Sequence, residues 1–361
     1  MKYWKALALA GCCGFALFSG LSSAEEAKKE CGSCGGSSDQ VIVDNAGDTS
    51  VMENTFHCVH ALKVTEVPVD AKTVRLWLPV PQSDDNQTVS DVKVLGGDGE
   101  VVMEMEPEQG NQFACCTVKV AGKPEYSFSY EFTVTRKKQS SLANCDVKNI
   151  RPLNADEAAG MAKYLGADRN VTIDDTIRNK ANEVCGDEKC PVGQAKKVYD
   201  WIVDHGEYWK KDKTKYAASG HGNTQYFMDK CTGNCTDFHA AFMSMMRSRG
   251  IPTRIWFGGV FWADKDGKDE DISYHCWPEY YVPGLGWAVL DASQGDYAPE
   301  KCGFYFGNLE SRRIVFCQGR DINLAPRQDG DRLEFLGTGY AEVDGKPYAK
   351  IARKLSYNTV K

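Results

Sequence analysis

From about Phe56 to Lys137 apolar and polar positions alternate with a period of two. Tyr126, Phe128, Tyr130, Phe132 and Val134 fall on one side, and Ser127, Ser129, Glu131 and Thr133 on the other. That is the pattern of a half-buried strand. A second strand over 74–78 is stopped by Pro79-Val80-Pro81. Short strands joined at Gly, Asp and Asn turns predict a β-sandwich over residues 55–140. After Asn149 the period becomes helical, with short helices over 156–164 and 175–184 and a longer one over 194–204. The last carries Ala195, Val198, Tyr199, Ile202 and Val203 on one stripe. Phe238, Ala241, Phe242, Met245 and Met246 mark another helix, stopped by Gly250 and Pro252. Strands return over 254–262, 274–281 and 287–291. Helices followed by an antiparallel sheet define an α+β unit over 141–325, and 326–361 reads as a C-terminal β extension with a turn at Asp344-Gly345-Lys346-Pro347.

At 361 residues the chain has room for more than one domain. Its formal charge of −7 becomes −9 without the first 24 residues, which carry Lys2 and Lys5. With no basic stretch to neutralise phosphates, a nucleic-acid partner is excluded.

Those 24 residues place two lysines before an uncharged stretch rich in Ala, Leu, Phe and Cys. Ser22-Ser23-Ala24 then precedes Glu25-Glu26, the layout of a cleavable secretory signal peptide. A membrane anchor is the rival reading, but the stretch is short and broken by Gly11, Gly14 and Gly20. Leu9-Ala10-Gly11-Cys12 also resembles a lipoprotein cleavage box, with Cys12 as the lipidated residue. Residues 25–54, rich in Glu, Lys, Gly and Ser, read as a flexible leader. A secreted or periplasmic, cell-envelope location is expected.

Export changes how the cysteines are read, because exported chains oxidise thiols in pairs. Thirteen remain after Cys12 and Cys13 are removed, so at least one stays free. Cys31/Cys34, Cys185/Cys190 and Cys302/Cys317 are the local disulfides to expect. Cys115 and Cys116 share a strand and face opposite ways, so at most one could reach Cys58. Zinc does not fit Cys31-Gly-Ser-Cys34, which lacks a second ligand pair at the right spacing.

The candidate chemistry is concentrated in three segments. Gly233-Asn234-Cys235-Thr236-Asp237-Phe238-His239 runs into the apolar helix, placing Cys235 in its first turn. Free backbone N–H groups and the positive dipole end there favour a thiolate. His275 stands on one predicted strand and Asp291 ends the next, sixteen positions on. An even separation can put both on one face of an antiparallel pair. Direct opposition would leave 280–286 as a wide loop, whereas a tight turn at Pro283-Gly284-Leu285-Gly286 needs a bulge or a diagonal contact. Cys235 would attack, His275 would move the proton and Asp291 would orient the imidazole. Histidines 57, 60, 205, 221 and 239 read as structural, and Gln225, Trp209 and Tyr208 are unranked candidates for a second oxyanion donor.

These motifs, with Arg247-Ser248-Arg249-Gly250-Ile251-Pro252-Thr253-Arg254, His275-Cys276-Trp277-Pro278-Glu279 and Leu290-Asp291-Ala292-Ser293, resemble the transglutaminase-like superfamily in its exported bacterial branch. The resemblance covers roughly residues 155–325. It implies a papain-like core, with Cys235 as nucleophile, His275 as acid/base and Asp291 as orienter. The substrate would be an amide of peptide or protein, attacked through a thioester that ends in hydrolysis or in transfer to a primary amine. No cofactor is expected. Animal members that crosslink use calcium, but the acidic loop at Asp264, Asp266, Asp269, Glu270 and Asp271 lacks EF-hand spacing, so no metal is expected either. A non-catalytic cell-envelope binding protein that retains the fold is the alternative.

Overall fold

The computed structural model describes residues 51–143, 145–268, 271–272 and 274–360. The expected signal peptide, most of the expected leader and the Cys31/Cys34 pair lie outside them. Strands β1 (Glu53–Val64), β2 (Thr73–Val80), β3 (Gln87–Gly97), β4 (Glu100–Met105), β5 (Gln112–Lys119) and β6 (Tyr126–Lys137) form the N-terminal part. In β1 and β6 every second side chain is buried, as the alternation requires. A two-residue strand β7 (Gln139–Ser140) leads out of it.

The helical part holds α1 (Ala155–Gly160), α2 (Asp175–Cys185), α3 (Pro191–His205), the short β8 (Glu207–Tyr208), α4 (Thr224–Lys230), the short β9 (Thr232–Gly233) and α5 (Cys235–Ser248). Behind them come β10 (Thr253–Val260), β11 (Tyr274–Val282), β12 (Gly286–Val289), α6 (Ala292–Tyr297), β13 (Asn308–Leu309) and β14 (Arg313–Gln318). The chain ends in β15 (Tyr340–Val343), β16 (Lys346–Pro347) and β17 (Ile351–Thr359).

The fold is α+β with antiparallel main sheets. The two sandwich sheets run β17-β1-β6-β3 and β16-β15-β2-β5-β4, and the core sheet runs β12-β11-β10-β14. The C-terminal strands thus belong to the sandwich sheets: β17 pairs with β1 from Val64 to Phe56, and β15 pairs with β2. Helix α5 is buried from Cys235 to Met246, between α2, α3 and α4 and the strands β10 and β11 of the core sheet. Among the described residues no helix is long and apolar enough to cross a membrane.

Strand β14 is an edge of the core sheet, and two sandwich amides cover it. Gln87 donates to the Val315 carbonyl (3.0 Å) and accepts from the Val315 N–H (2.8 Å). Asn111 makes the same pair of bonds with Gln318, at 2.8 and 2.7 Å. Side chains here do what a neighbouring strand would do for the edge. Gln87→Ala and Asn111→Ala should each cost about 1–3 kcal/mol, because buried backbone groups lose their partners. A lowered urea midpoint would record it; an unchanged midpoint would show that the amides are dispensable.

Neither Cys185 with Cys190 nor Cys302 with Cys317 is bridged, so these two expected disulfides are absent. Cys185 turns its side chain into the core from the last turn of α2, whereas Cys190 caps α3 and directs Sγ at the Val147 carbonyl, 3.8 Å away. Cys317 lies within β14, opposite Phe257 of β10, while Cys302 follows the turn after α6. Cys58 and the Cys115-Cys116 pair stand on strands of different sandwich sheets.

Candidate active site

The start of α5 is fixed by its own sequence. Asn234 is the N-cap, its side-chain oxygen accepting from the N–H groups of Thr236 (3.0 Å) and Asp237 (3.3 Å). Asp237 returns the bond to the Asn234 N–H at 3.0 Å, completing a capping box. Gly233 is required before it, since a Cβ there would lie 2.4 Å from the Cβ of Asp237. Cys235 is therefore held at the first helical position, 3% exposed.

The parallel bridge between β8 and β9 pairs Tyr208 with Gly233, which carries the Tyr208 ring to the helix start. Of the three candidate oxyanion donors, Gln225 is tied to Asp229 along its own helix (2.8 Å). The Trp209 indole N–H is buried without an acceptor. The Tyr208 hydroxyl feels the Cys235 charge: burial first, then that charge, raises its pKa. Tyr274 on β11 is raised in the same way from another side.

Strands β11 and β12 join through a tight turn, with Val282 opposite Gly286 and Glu279 opposite Val289. The wide-loop alternative is therefore not the one adopted. Strand β12 ends at Val289 and Asp291 is the N-cap of α6, a helix absent from the sequence reading. Leaving the strand early swings the carboxylate diagonally to His275, whose Nε2 lies 2.7 Å from Asp291 Oδ2. The remaining ring nitrogen, Nδ1, is left for Cys235, whose charge helps to raise the His275 pKa.

Asp291 is fully buried and heavily partnered. Arg313 Nη1 donates to Oδ2 at 2.5 Å, and Ser293 Oγ (2.7 Å) and the Gln294 N–H (2.9 Å) donate to Oδ1. His239 Nε2 stands 3.3 Å from Oδ1. Reading His239 as structural missed this, because only the fold brings a position one turn beyond Cys235 to the carboxylate. Arg313 was missed as well: β14 carries no motif, and nothing local links it to Asp291. Burial works against the Asp291 charge, but His275 and Arg313 outweigh it and hold the carboxyl well below its usual range.

The thiol and the imidazole are tuned in opposite directions. Cys235 is held well below the ordinary thiol range, first by a hydrogen bond from Cys276, then by the charge and hydrogen bond of His275, with burial opposing. For His275 burial lowers the pKa, but the charges of Asp291 and Cys235 and their hydrogen bonds raise it to about 9. Together they favour a thiolate beside an imidazolium.

Residues 178–292 match the family model of the transglutaminase-like superfamily. An uncharacterised protein of Haemophilus influenzae is 23% identical over 311 residues, 75% of this chain and 81% of that protein. The Bacillus subtilis protein YebA is 22% identical over 147 residues, 37% of this chain but only 20% of its own length. A solved structure of a candidate cysteine protease from Cytophaga hutchinsonii superposes with a TM-score of 0.52 at 15% identity, covering 86% of this chain and 91% of that one. The shared architecture is papain-like, a helix start set against an antiparallel sheet.

Proposed function

We propose that the transglutaminase-like core makes this chain an exported thiol enzyme acting on amide bonds of peptide or protein. The observation that carries the reading is the arrangement of groups at the start of α5: a depressed buried thiol, an imidazole that feels its charge, and a buried carboxylate 2.7 Å from that imidazole. Cys235 attacks the carboxamide carbon, His275 protonates the departing amine, and a thioester forms. The N–H of Cys235 belongs to the first helical turn, whose donors have no intrahelical acceptor. It and the Tyr208 hydroxyl receive the negative oxygen of the tetrahedral intermediate. Water then releases an acid, or a primary amine takes the acyl group. Asp291 keeps the His275 ring turned toward the thiol and stabilises its positive charge.

Turnover should follow a bell in pH. It rises with pH as Cys235 ionises, at values below the ordinary thiol range, and falls as pH passes about 9, where His275 loses the proton it must deliver. Alkylation of Cys235, which needs only the thiolate, should persist above pH 9 while turnover declines. If both declined together, His275 would not be the acid.

The test of the reading is to give wild type and Cys235→Ala a mixed peptide pool with a labelled primary amine. New termini show proteolysis, and label on glutamine side chains shows transfer. Neither product from the wild type would favour a binding protein that retains the fold.

A further inference from the structure

Beside the site runs a loop whose charge is opposite to that of the chain. Residues 210–215 hold four lysines and one aspartate, in a chain of formal charge −7. The loop joins β8 to α4 and is tied at both ends to residues that flank Cys235. At its start the Trp209 N–H donates to the Gly233 carbonyl at 3.0 Å. At its end the N–H groups of Ser219 (3.2 Å) and Asn223 (2.9 Å) donate to the Asp237 carboxylate. It therefore arches alongside the start of α5.

Its cations are not equally spent. Lys211 is bound to Asp296 at 2.6 Å and to Glu207 at 3.3 Å, and Lys215 lies 3.9 Å from Asp212. Lys210 and Lys213 are exposed, and among the described residues neither has a carboxylate partner. Both ammonium groups lean on the Trp209 ring instead, 5.9 and 5.4 Å from its centroid. Two like charges are thus held at the root of the loop, beside its bond to Gly233, where they repel each other and no anion relieves them. The neighbouring surface is not purely ionic. Tyr297, the last residue of α6, is 46% exposed and sets its ring against that of Tyr208 at 5.4 Å.

We propose that Lys210 and Lys213, gathered by Trp209, form a substrate-binding surface that selects peptide segments carrying carboxylate side chains around the amide to be attacked. This selection deepens the thiol-enzyme reading and rests on Cys235 being the nucleophile. A glutamate or aspartate near the reacting amide brings its oxygens to the two ammonium groups, and apolar parts of the peptide lie on the Tyr297 ring. No bond changes in this step. The lysines raise the local concentration of acidic substrate and hold it, which lowers KM. They do not touch the reacting atoms, so kcat stays as it is.

The test uses two pentapeptides whose central side chain carries a chloroacetamide, one flanked on both sides by glutamates and the other by glutamines. Labelling of Cys235 in the full chain is followed by mass. At low peptide concentration the glutamate peptide should label wild type about fivefold faster, the effect of two exposed ion pairs of moderate strength. The difference should lie in the half-saturating concentration, with a shared limiting rate, and should shrink towards unity in about 1 M salt. Lys210→Glu/Lys213→Glu should reverse the preference. Lys210→Gln/Lys213→Gln, which removes the charges without adding repulsion, should abolish it and serves if the reversal disturbs the loop. Lys93→Glu/Lys123→Glu, at two exposed positions of the sandwich, makes the same change in net charge and should leave the preference in place. Equal labelling of wild type by the two peptides, or a preference that the sandwich variant also abolishes, would overturn the proposal and leave the nucleophile reading intact. A wild type in which neither peptide labels Cys235 would overturn both.

Discussion

Cys235→Ala is expected to abolish turnover, by a factor on the order of 10⁶ for loss of a nucleophile, while the chain folds as before. Both halves follow from where the residue sits. At the first position of α5 alanine keeps the helix, and the Asn234–Asp237 capping box that fixes the helix start does not involve the thiol. The fold change should stay within about 1 kcal/mol, the range of changes that neither open a large cavity nor strand a buried charge. Activity cannot be recovered by the neighbours. Cys276 is buried, and burial is the first cause that pushes its thiol well above the ordinary range. Parallel assays of turnover and urea unfolding check both halves together. Substantial residual turnover would move the nucleophile elsewhere.

Arg313→Met is expected to give the largest loss of stability, about 3–5 kcal/mol. Arg313 is fully buried between two carboxylates, with Nη1 2.5 Å from Asp291 and Nε 2.9 Å from Glu310. Burial lowers its pKa, but the two negative charges more than reverse this, so it remains a guanidinium. Methionine would match the stem but leave fully buried Asp291 and partly buried Glu310 without their cation. Loss of the cation also leaves Asp291 Oδ2, which Arg313 and His275 share, to His275 alone. The unfolding midpoint should drop, and the alkaline limb of turnover should not move to lower pH, because removing a neighbouring cation cannot disfavour the imidazolium. A midpoint within experimental error of wild type would show that water can replace the guanidinium.

Much of the architecture was legible because burial writes itself into local periodicity. The alternation in β6 faces one packed surface, the apolar spacing in α5 lies on a helix buried all round from Cys235 to Met246, and each element formed where its pattern lay. Helices α4 and α6 escaped notice for the opposite reason: they are short and fixed by caps at Asn223 and Asp291, not by an apolar stripe. The motif residues Cys235, His275 and Asp291 could be picked out because each sits at an element boundary with its own signature. Arg313 and His239 could not. Their roles arise from contacts between β14, α5 and the N-cap of α6, and no spacing along the chain encodes such a meeting. The expected Cys185/Cys190 and Cys302/Cys317 disulfides failed on geometry, since closeness in sequence does not aim two Cβ atoms at each other.

The most direct measurement is the mass of the protein after acid quench during turnover of an amide substrate, followed by peptide mapping. The account predicts an added acyl group on Cys235 that hydroxylamine removes, absent from Cys235→Ala and unaffected by alkylation of exposed thiols. An adduct mapped to any other residue, or full turnover with Cys235 replaced, would contradict it.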